Sequence, residues 1–181
     1  INCAANTNVD FLETHQDVAF DINANGVQNL IEIVRQNNIR LVHISTDSIF
    51  DGSLGPYSEN DIPNPINVYA KSKLLGEKYI LNNLGNEVII RTNFYGYDND
   101  NNFLFNWILN NLKNKKKFIA FDDIIFNPLE ISNLSKMIVE ISLKNYTGTI
   151  NMASDDIISK YEFAIEISKK LDYEQNLIEK G

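Results

Sequence analysis

Two short apolar runs with a helix-length segment between them constrain this chain more than any other feature. Residues 39–44 (Ile-Arg-Leu-Val-His-Ile) and 87–92 (Glu-Val-Ile-Ile-Arg-Thr) are rich in β-branched side chains and barely alternate between polar and apolar. Runs of this kind are strands covered on both faces, the usual state of a parallel sheet. Before the first run, residues 10–37 carry Val18, Ile22, Val27, Leu30, Ile31 and Val34 at roughly helical intervals, which predicts one helix. Gly26 inside it costs about 1 kcal/mol against alanine, and close approach of a neighbouring element would explain it. Residues 67–84 predict a second helix, with Leu74, Leu75 and Ile80 or Leu81 facing inward. Ile1 to Ala5 reads as the exit of a strand. Strand, helix, strand, helix, strand is the order of a parallel sheet with right-handed crossovers.

Both runs end in polar or aromatic residues: Ser45-Thr46-Asp47-Ser48 after the first, Asn93-Phe94-Tyr95-Gly96 after the second. Open parallel sheets bind ligands beyond the carboxyl ends of their strands, although Ser, Thr and Asp are also ordinary turn and cap residues. Residues 50–65, with their glycines, prolines and acids, form a loop long enough to be functional or disordered. The second helix then opens with Tyr69 and Lys73, spaced to share one helical face. A phenol titrates near pH ~10, and an ammonium close by should lower that value and favour proton exchange. Alone, such a pair usually means a half-buried ring beside a solvated amine; the polar strand end upstream makes the functional reading the better one.

Downstream, 98–102 reads as a polar loop, 103–112 as an amphipathic helix with Trp107, and 117–121 as a short strand. Turns at Asp122-Asp123 and Asn127-Pro128 precede a helix over 130–143, a strand over 148–152 and a helix over 160–171. The net charge of −8 argues against a nucleic-acid partner. The basic cluster at 113–117 reads as a solvated helix end. A single cysteine, Cys3, precludes an internal disulfide and fits a reducing cytoplasm. With His15 and His43 the only histidines, no metal-ligand cluster is visible; His43, inside an apolar strand, reads as a satisfied core residue. No apolar run is long enough for a membrane-spanning helix. The abrupt start at Ile1, without an initiator methionine, suggests a fragment.

The run Ile44-Ser45-Thr46-Asp47-Ser48-Ile49-Phe50-Asp51-Gly52, the later Tyr-x-x-x-Lys and Arg91-Thr92-Asn93 resemble the extended short-chain dehydrogenases. Within them the chain looks most like the dTDP-4-dehydrorhamnose reductase family. Asn2-Cys3-Ala4-Ala5, Asn23-x-x-Gly26, Asn127-Pro128 and residues 148–152 fall in family order, so the resemblance spans nearly the whole chain. It implies an α/β fold: a Rossmann-like doubly wound parallel sheet, here lacking its first strands, with a small C-terminal α/β substrate-binding lobe. Residues 1–97 would belong to the dinucleotide-binding domain and 98–181 mostly to the lobe, with elements returning to the main sheet.

The resemblance also implies roles. Tyr69 would protonate the oxygen of a 4-keto-6-deoxy sugar nucleotide while NADPH or NADH delivers hydride to the adjacent carbon. Lys73 would hold the nicotinamide ribose, and Thr46 would bond the reacting oxygen. Ala4, Ala5, Asn6 and Ile44, with Tyr69 and Lys73, would line the cofactor; Thr46, Asp47, Asn93 and Phe94 would face the sugar nucleotide. Ser48 and Phe94 stand where these reductases usually have tyrosine and tryptophan, which alters the pocket wall. The Gly-rich phosphate loop of such folds is not among these residues, so the chain alone is expected to bind cofactor weakly and turn over little. A homodimer stands as a further expectation. Two other readings compete. One is a non-catalytic NADP-binding subunit resembling the methionine adenosyltransferase β subunit. The other is a related epimerase; a dehydratase is disfavoured, because Ser48 follows Asp47 where dehydratases carry an acid pair.

Overall fold

The computed structural model describes residues 1–97 and 103–181; the polar loop expected at 98–102 lies outside the described residues. In chain order the elements are α1 (Val9–Thr14), α2 (Gln16–Phe20), a π-helical turn (Asp21–Asn25), α3 (Gly26–Gln36), β1 (Val42–Thr46), a 3-10 turn (Asp47–Ile49), α4 (Val68–Asn83), β2 (Val88–Thr92) and β3 (Phe94–Tyr95). Then come α5 (Leu104–Lys113), β4 (Phe118–Ala120), β5 (Ile125–Phe126), β6 (Leu129–Glu130), α6 (Ile131–Leu143), β7 (Gly148–Met152), β8 (Ile158–Ser159), α7 (Lys160–Lys170), a 3-10 turn (Gln175–Leu177) and β9 (Ile178–Lys180). They form two compact units, one of residues 1–92 with 137–152, the other of 93–136 with 153–181.

The first unit is built on a parallel sheet in the order β1-β2-β7, with Val42 opposite Val88 and Val88 opposite Gly148. Asn2 lies alongside β1, taking a main-chain bond from Ile44 and giving one to Val42. The second apolar run is covered, with Val88, Ile89 and Ile90 fully buried; in the first, Leu41, Val42 and His43 are buried, but Ile39 lies before the strand and is exposed. Val27, Ile31 and Val34 of α3 pack with Ile80 of α4 against Leu41 and Ile89. Arg40 closes the far end of α6, donating to the main-chain oxygens of Ser142, Lys144 and Tyr146.

The single helix expected over 10–37 is four segments. The helix breaks at His15, whose backbone leaves the helical region (φ −128°, ψ 61°) while its ring stacks on Phe11 with centroids 4.0 Å apart. The π turn then admits an extra residue per turn, a local widening typical of functional or close-packed sites. This explains why Ile22, expected on the inner face, is exposed while Asn23 and Ala24 are fully buried.

Helix α4 starts with two of its orphan N–H groups satisfied: Ala70 N–H by the Asn67 side chain at 2.8 Å, and Val68 N–H by Glu13 Oε1 at 2.7 Å. Of the inner-face residues expected, Leu74 and Ile80 are buried, Leu75 is half-buried and Leu81 is exposed; the polar Ser72, Lys73 and Glu77 are buried beside them. The glycine that permits close approach is Gly76, not Gly26. A Cβ on Gly76 would sit 2.5 Å from the main-chain oxygen of Asn23; one on Gly26 meets only an ordinary 3.5 Å contact.

In the second unit, β4 pairs with β9 and β3 with β6, both parallel, and β5 with β8 antiparallel. Ile108, Leu109 and Leu112 of α5 and Phe163 and Ile167 of α7 enclose Phe118, Phe126 and Ile178. Ser159 and Glu162 form a reciprocal cap at the start of α7. The basic cluster after α5 is solvated as expected, with Lys115 and Lys117 paired to Glu174 and Glu179 at the surface.

Because the atom opposing Gly76 is main chain, it cannot swing aside. Gly76→Ala is expected to destabilise the first unit by about 1–3 kcal/mol in chemical denaturation, while Gly26→Ala is expected to be neutral or stabilising.

Candidate functional site

The polar end of β1 and the polar face of α4 meet. Thr46 ends β1 with extended backbone and caps the following 3-10 turn, its Oγ1 accepting from Ser48 N–H at 3.2 Å. The same hydroxyl donates to Asp47 Oδ1 at 3.3 Å and is hydrogen-bonded to the phenol of Tyr69. One turn further along α4, Lys73 is buried, its Nζ donating to the main-chain oxygen of Ile44 at 2.7 Å and lying 3.4 Å from His43 Nε2.

The electrostatics reverse one expectation. The Tyr69 pKa is raised, not lowered: burial disfavours the phenolate, the Asp47 charge adds to this, and the bond to Thr46 only partly offsets them. Lys73 does not supply the expected compensation. Burial lowers its own pKa to about 8, against the opposing pull of Glu77 and Cys3. Tyr69 is therefore a fully protonated phenol at neutral pH.

Ala4, Ala5 and Asn6 follow the Asn2 bridge. Ala4 N–H donates to Asn2 Oδ1 at 3.1 Å, and Asn6 exchanges two hydrogen bonds with the buried side chain of Asn23, N–H to Oδ1 at 2.8 Å and Nδ2 to main-chain O at 3.0 Å. The second amide proton of Asn23 goes to Ser72 Oγ, also at 3.0 Å. Asn23 thus ties segment 4–6 to the turn of α4 that carries Lys73. Asn93 and Phe94 belong to the second unit. There Asn93 accepts the N–H of Leu129, and Phe94, 41% exposed, pairs with Leu129 across β3 and β6.

Sequence reasoning missed the network that holds α4 in place. Glu77, fully buried, receives Arg91 through Nε at 3.1 Å and Nη2 at 2.8 Å on Oε2, and the Ser45 hydroxyl on Oε1. Arg91 Nη1 also reaches the main-chain oxygen of Glu59, and the Glu59 carboxylate takes the N–H of Asn151 at 2.8 Å. The long loop is fastened to the sheet in this way. A signal was present: Tyr69, Lys73 and Glu77 recur every four residues, so one face of the helix is polar. Among the described residues no cluster of His, Cys, Asp and Glu could hold a metal ion, and no helix is long and apolar enough to cross a membrane.

Residues 1–180 match the RmlD substrate binding domain. The chain belongs to this family, that of the dTDP-4-dehydrorhamnose reductases. It is 33% identical over 174 residues to the dTDP-4-dehydrorhamnose reductase of Aggregatibacter actinomycetemcomitans, covering 92% of this chain and 59% of that protein. It is 30% identical over 187 residues to the methionine adenosyltransferase 2 subunit beta of Bos taurus, covering 93% of this chain and 53% of that one. The crystal structure of the Bacillus anthracis dTDP-4-dehydrorhamnose reductase in complex with NADP superposes with a TM-score of 0.91 at 31% identity, covering 99% of this chain and 63% of that chain. The α/β fold is thus the Rossmann-like fold of these reductases. The RmlD-family chain spans about 60% of the length of these reductases.

Two outcomes test the site's energetics. Glu77→Gln leaves the Arg91 charge buried without its partner, and is expected to cost about 3–5 kcal/mol in chemical denaturation. Replacing both residues by methionine should recover most of that loss. His43, fully buried, has its pKa lowered from 6.5 to about 3 by burial and by Lys73. Between those values the unfolded chain binds the extra proton, so stability falls as pH drops below 6.5, by about 1.4 kcal/mol per unit. Measured above the range where carboxylates titrate, this slope should flatten in His43→Leu.

Proposed function

We propose that this chain carries the catalytic half of an NAD(P)H-dependent reductase acting on a 4-keto-6-deoxy sugar nucleotide, in nucleotide-sugar biosynthesis. The observation that carries the proposal is the Tyr69 phenol hydrogen-bonded to Thr46 at the carboxyl end of β1, one helical turn from buried Lys73. The family relation supports it, as does the NADP in the Bacillus anthracis reductase structure.

The residues present fit the nicotinamide end of such a cofactor. Lys73 commits one N–H to Ile44 and faces His43, which leaves a further donor in either protonation state. Ala4 and Ala5 are small and at least partly exposed, and they connect to Lys73 through Asn2 and His43. Ala4, Ala5, Asn6, Ile44, Tyr69 and Lys73 would hold the cofactor, which when bound supplies the hydride that reduces the sugar carbonyl.

Thr46 and Tyr69 converge on the carbonyl oxygen. As negative charge develops there, the Thr46 hydroxyl helps hold it and Tyr69 transfers its phenolic proton to it, completing the alcohol. Asp47 lies beside both hydroxyls, where it orients Thr46 and opposes loss of the phenol proton before substrate arrives. Within the first unit, Asp47 is assigned to the sugar nucleotide. The lone cysteine fits work in a reducing cytoplasm.

A second reading is a non-catalytic subunit, favoured by the similarity to methionine adenosyltransferase 2 subunit beta. Protein carrying these residues should consume reduced nicotinamide cofactor with a 4-keto-6-deoxy sugar nucleotide. Tyr69→Phe is expected to lose about 10²–10⁴-fold in kcat while keeping its affinity for the sugar nucleotide. Full activity in that variant would overturn the role of Tyr69. No turnover on any such sugar, with stoichiometric capture of an enzyme partner, would favour the subunit.

A further inference from the structure

The hydrogen bonds around His43 can all hold in only one protonation state of Lys73, the neutral amine. His43 Nδ1 lies 3.0 Å from Asn2 Nδ2, and Nε2 lies 3.4 Å from Lys73 Nζ. The Asn2 amide is oriented by a group that can only donate: the Ala4 N–H takes its Oδ1 at 3.1 Å, which turns the NH₂ end toward the ring. An amide nitrogen donates and does not accept. Nδ1 must therefore be the acceptor, and the neutral ring carries its proton on Nε2, facing Lys73. An ammonium has three N–H groups and no lone pair, so it cannot receive that proton. An amine can, while still donating to Ile44 O at 2.7 Å.

The ammonium requires the opposite arrangement. Nε2 must then be bare, the ring proton must sit on Nδ1, and Asn2 must present its oxygen to the ring. That oxygen is the one holding Ala4 N–H, so the main-chain bond to Ala4 is released. We infer that Lys73, His43 and Asn2 are one coupled unit, in which protonation of Lys73 reverses the His43 tautomer, turns the Asn2 amide and frees the Ala4 N–H. His43 is thus a positioning residue. The inference stands apart from the reductase reading, although under that reading it links the amine of Lys73 to the segment proposed to line the cofactor.

The surrounding charges bring the switch near neutrality. Burial favours the amine of Lys73; Glu77 on the same helix and Cys3 from the N-terminal segment favour the ammonium, and the balance falls at about 8. Arg91, from β2, is spent on Glu77. Tyr69, also on α4, is engaged with Thr46 and faces Asp47 from the turn after β1. Lys73 is the charge that acts on His43, whose pKa of about 3 keeps the ring neutral throughout.

The test is a nuclear magnetic resonance titration of the chain, labelled in its histidine rings, its lysine side chains and its backbone, from well below to well above pH 8. A His15→Gln variant assigns the two rings. The expected result is a change of His43 from the Nδ1–H to the Nε2–H tautomer as pH rises, with Lys73 Nζ and the Ala4 amide moving at the same midpoint. In Asn2→Ala the tautomer change should persist and the Ala4 response should vanish. One His43 tautomer across the whole range, or an Ala4 amide that is silent or moves at a different midpoint, overturns the inference in the unmodified chain, whatever the variants do.

Discussion

The first unit depends on a carboxylate that water cannot reach. Glu77 is fully buried, and a charge so placed is tolerated only if it is paired and every lone pair facing the interior is used. Arg91 supplies a fork from β2 and Ser45 a hydroxyl from β1, so one side chain of α4 is anchored to two neighbouring strands. Arg91 extends the anchor by bonding Glu59 and lying over the Phe50 ring at 5.5 Å, which brings the loop into the same network. The pair is weak evidence of net stabilisation. Its consequence is rotational: with Glu77 fixed, the helix cannot turn about its axis, and Lys73 and Tyr69, one and two turns earlier, are aimed at the end of β1.

The same constraint explains why the buried face of α4 mixes polar side chains with apolar ones. A helix held by charge on its inner face needs close backbone contact elsewhere, and Gly76 provides it against the carbonyl of Asn23. That carbonyl is in place because the chain widens into a π turn over Asp21–Asn25. The Asn23 side chain then spends all three of its hydrogen bonds on Asn6 and Ser72. A local irregularity of one helix and a missing Cβ on another are thus complementary features of a single contact.

Much of this fold is legible in the sequence, and what is not has a definite cause. The buried strands announce themselves because β-branched runs without alternation have few other uses. The polar cluster after β1 and the opening of α4 lead to Thr46 and Tyr69, whose side chains do meet, while Lys73 turns to the Ile44 carbonyl. The break at His15 was hidden because apolar periodicity survives across it; only ring stacking on Phe11 and the wider turn distinguish the segments. Gly26 and Gly76 are equally plausible close-approach glycines until one knows which carbonyl lies opposite. The Glu77 network was missed because Glu is ordinarily a solvated helix residue, and only the recurrence of polar residues at every fourth position hinted otherwise.

The direction of the Tyr69 shift shows where spacing stops being informative. Two side chains one turn apart share a face, but a lysine stem is long enough for its amine to choose among partners. Here it chooses the carbonyl of Ile44, inside the protein, over the phenol. Two costs of burial then act together: the phenolate is disfavoured at Tyr69, and the ammonium is disfavoured at Lys73. By the pH at which the phenol could ionise, a lysine with a pKa of about 8 has already lost its proton and cannot hold down the pKa of its neighbour. The result is a proton donor kept loaded, beside an amine whose charge is decided by burial, Glu77 and the ring behind it. Any group that later adds or removes charge at this end of the sheet acts on both titrations at once.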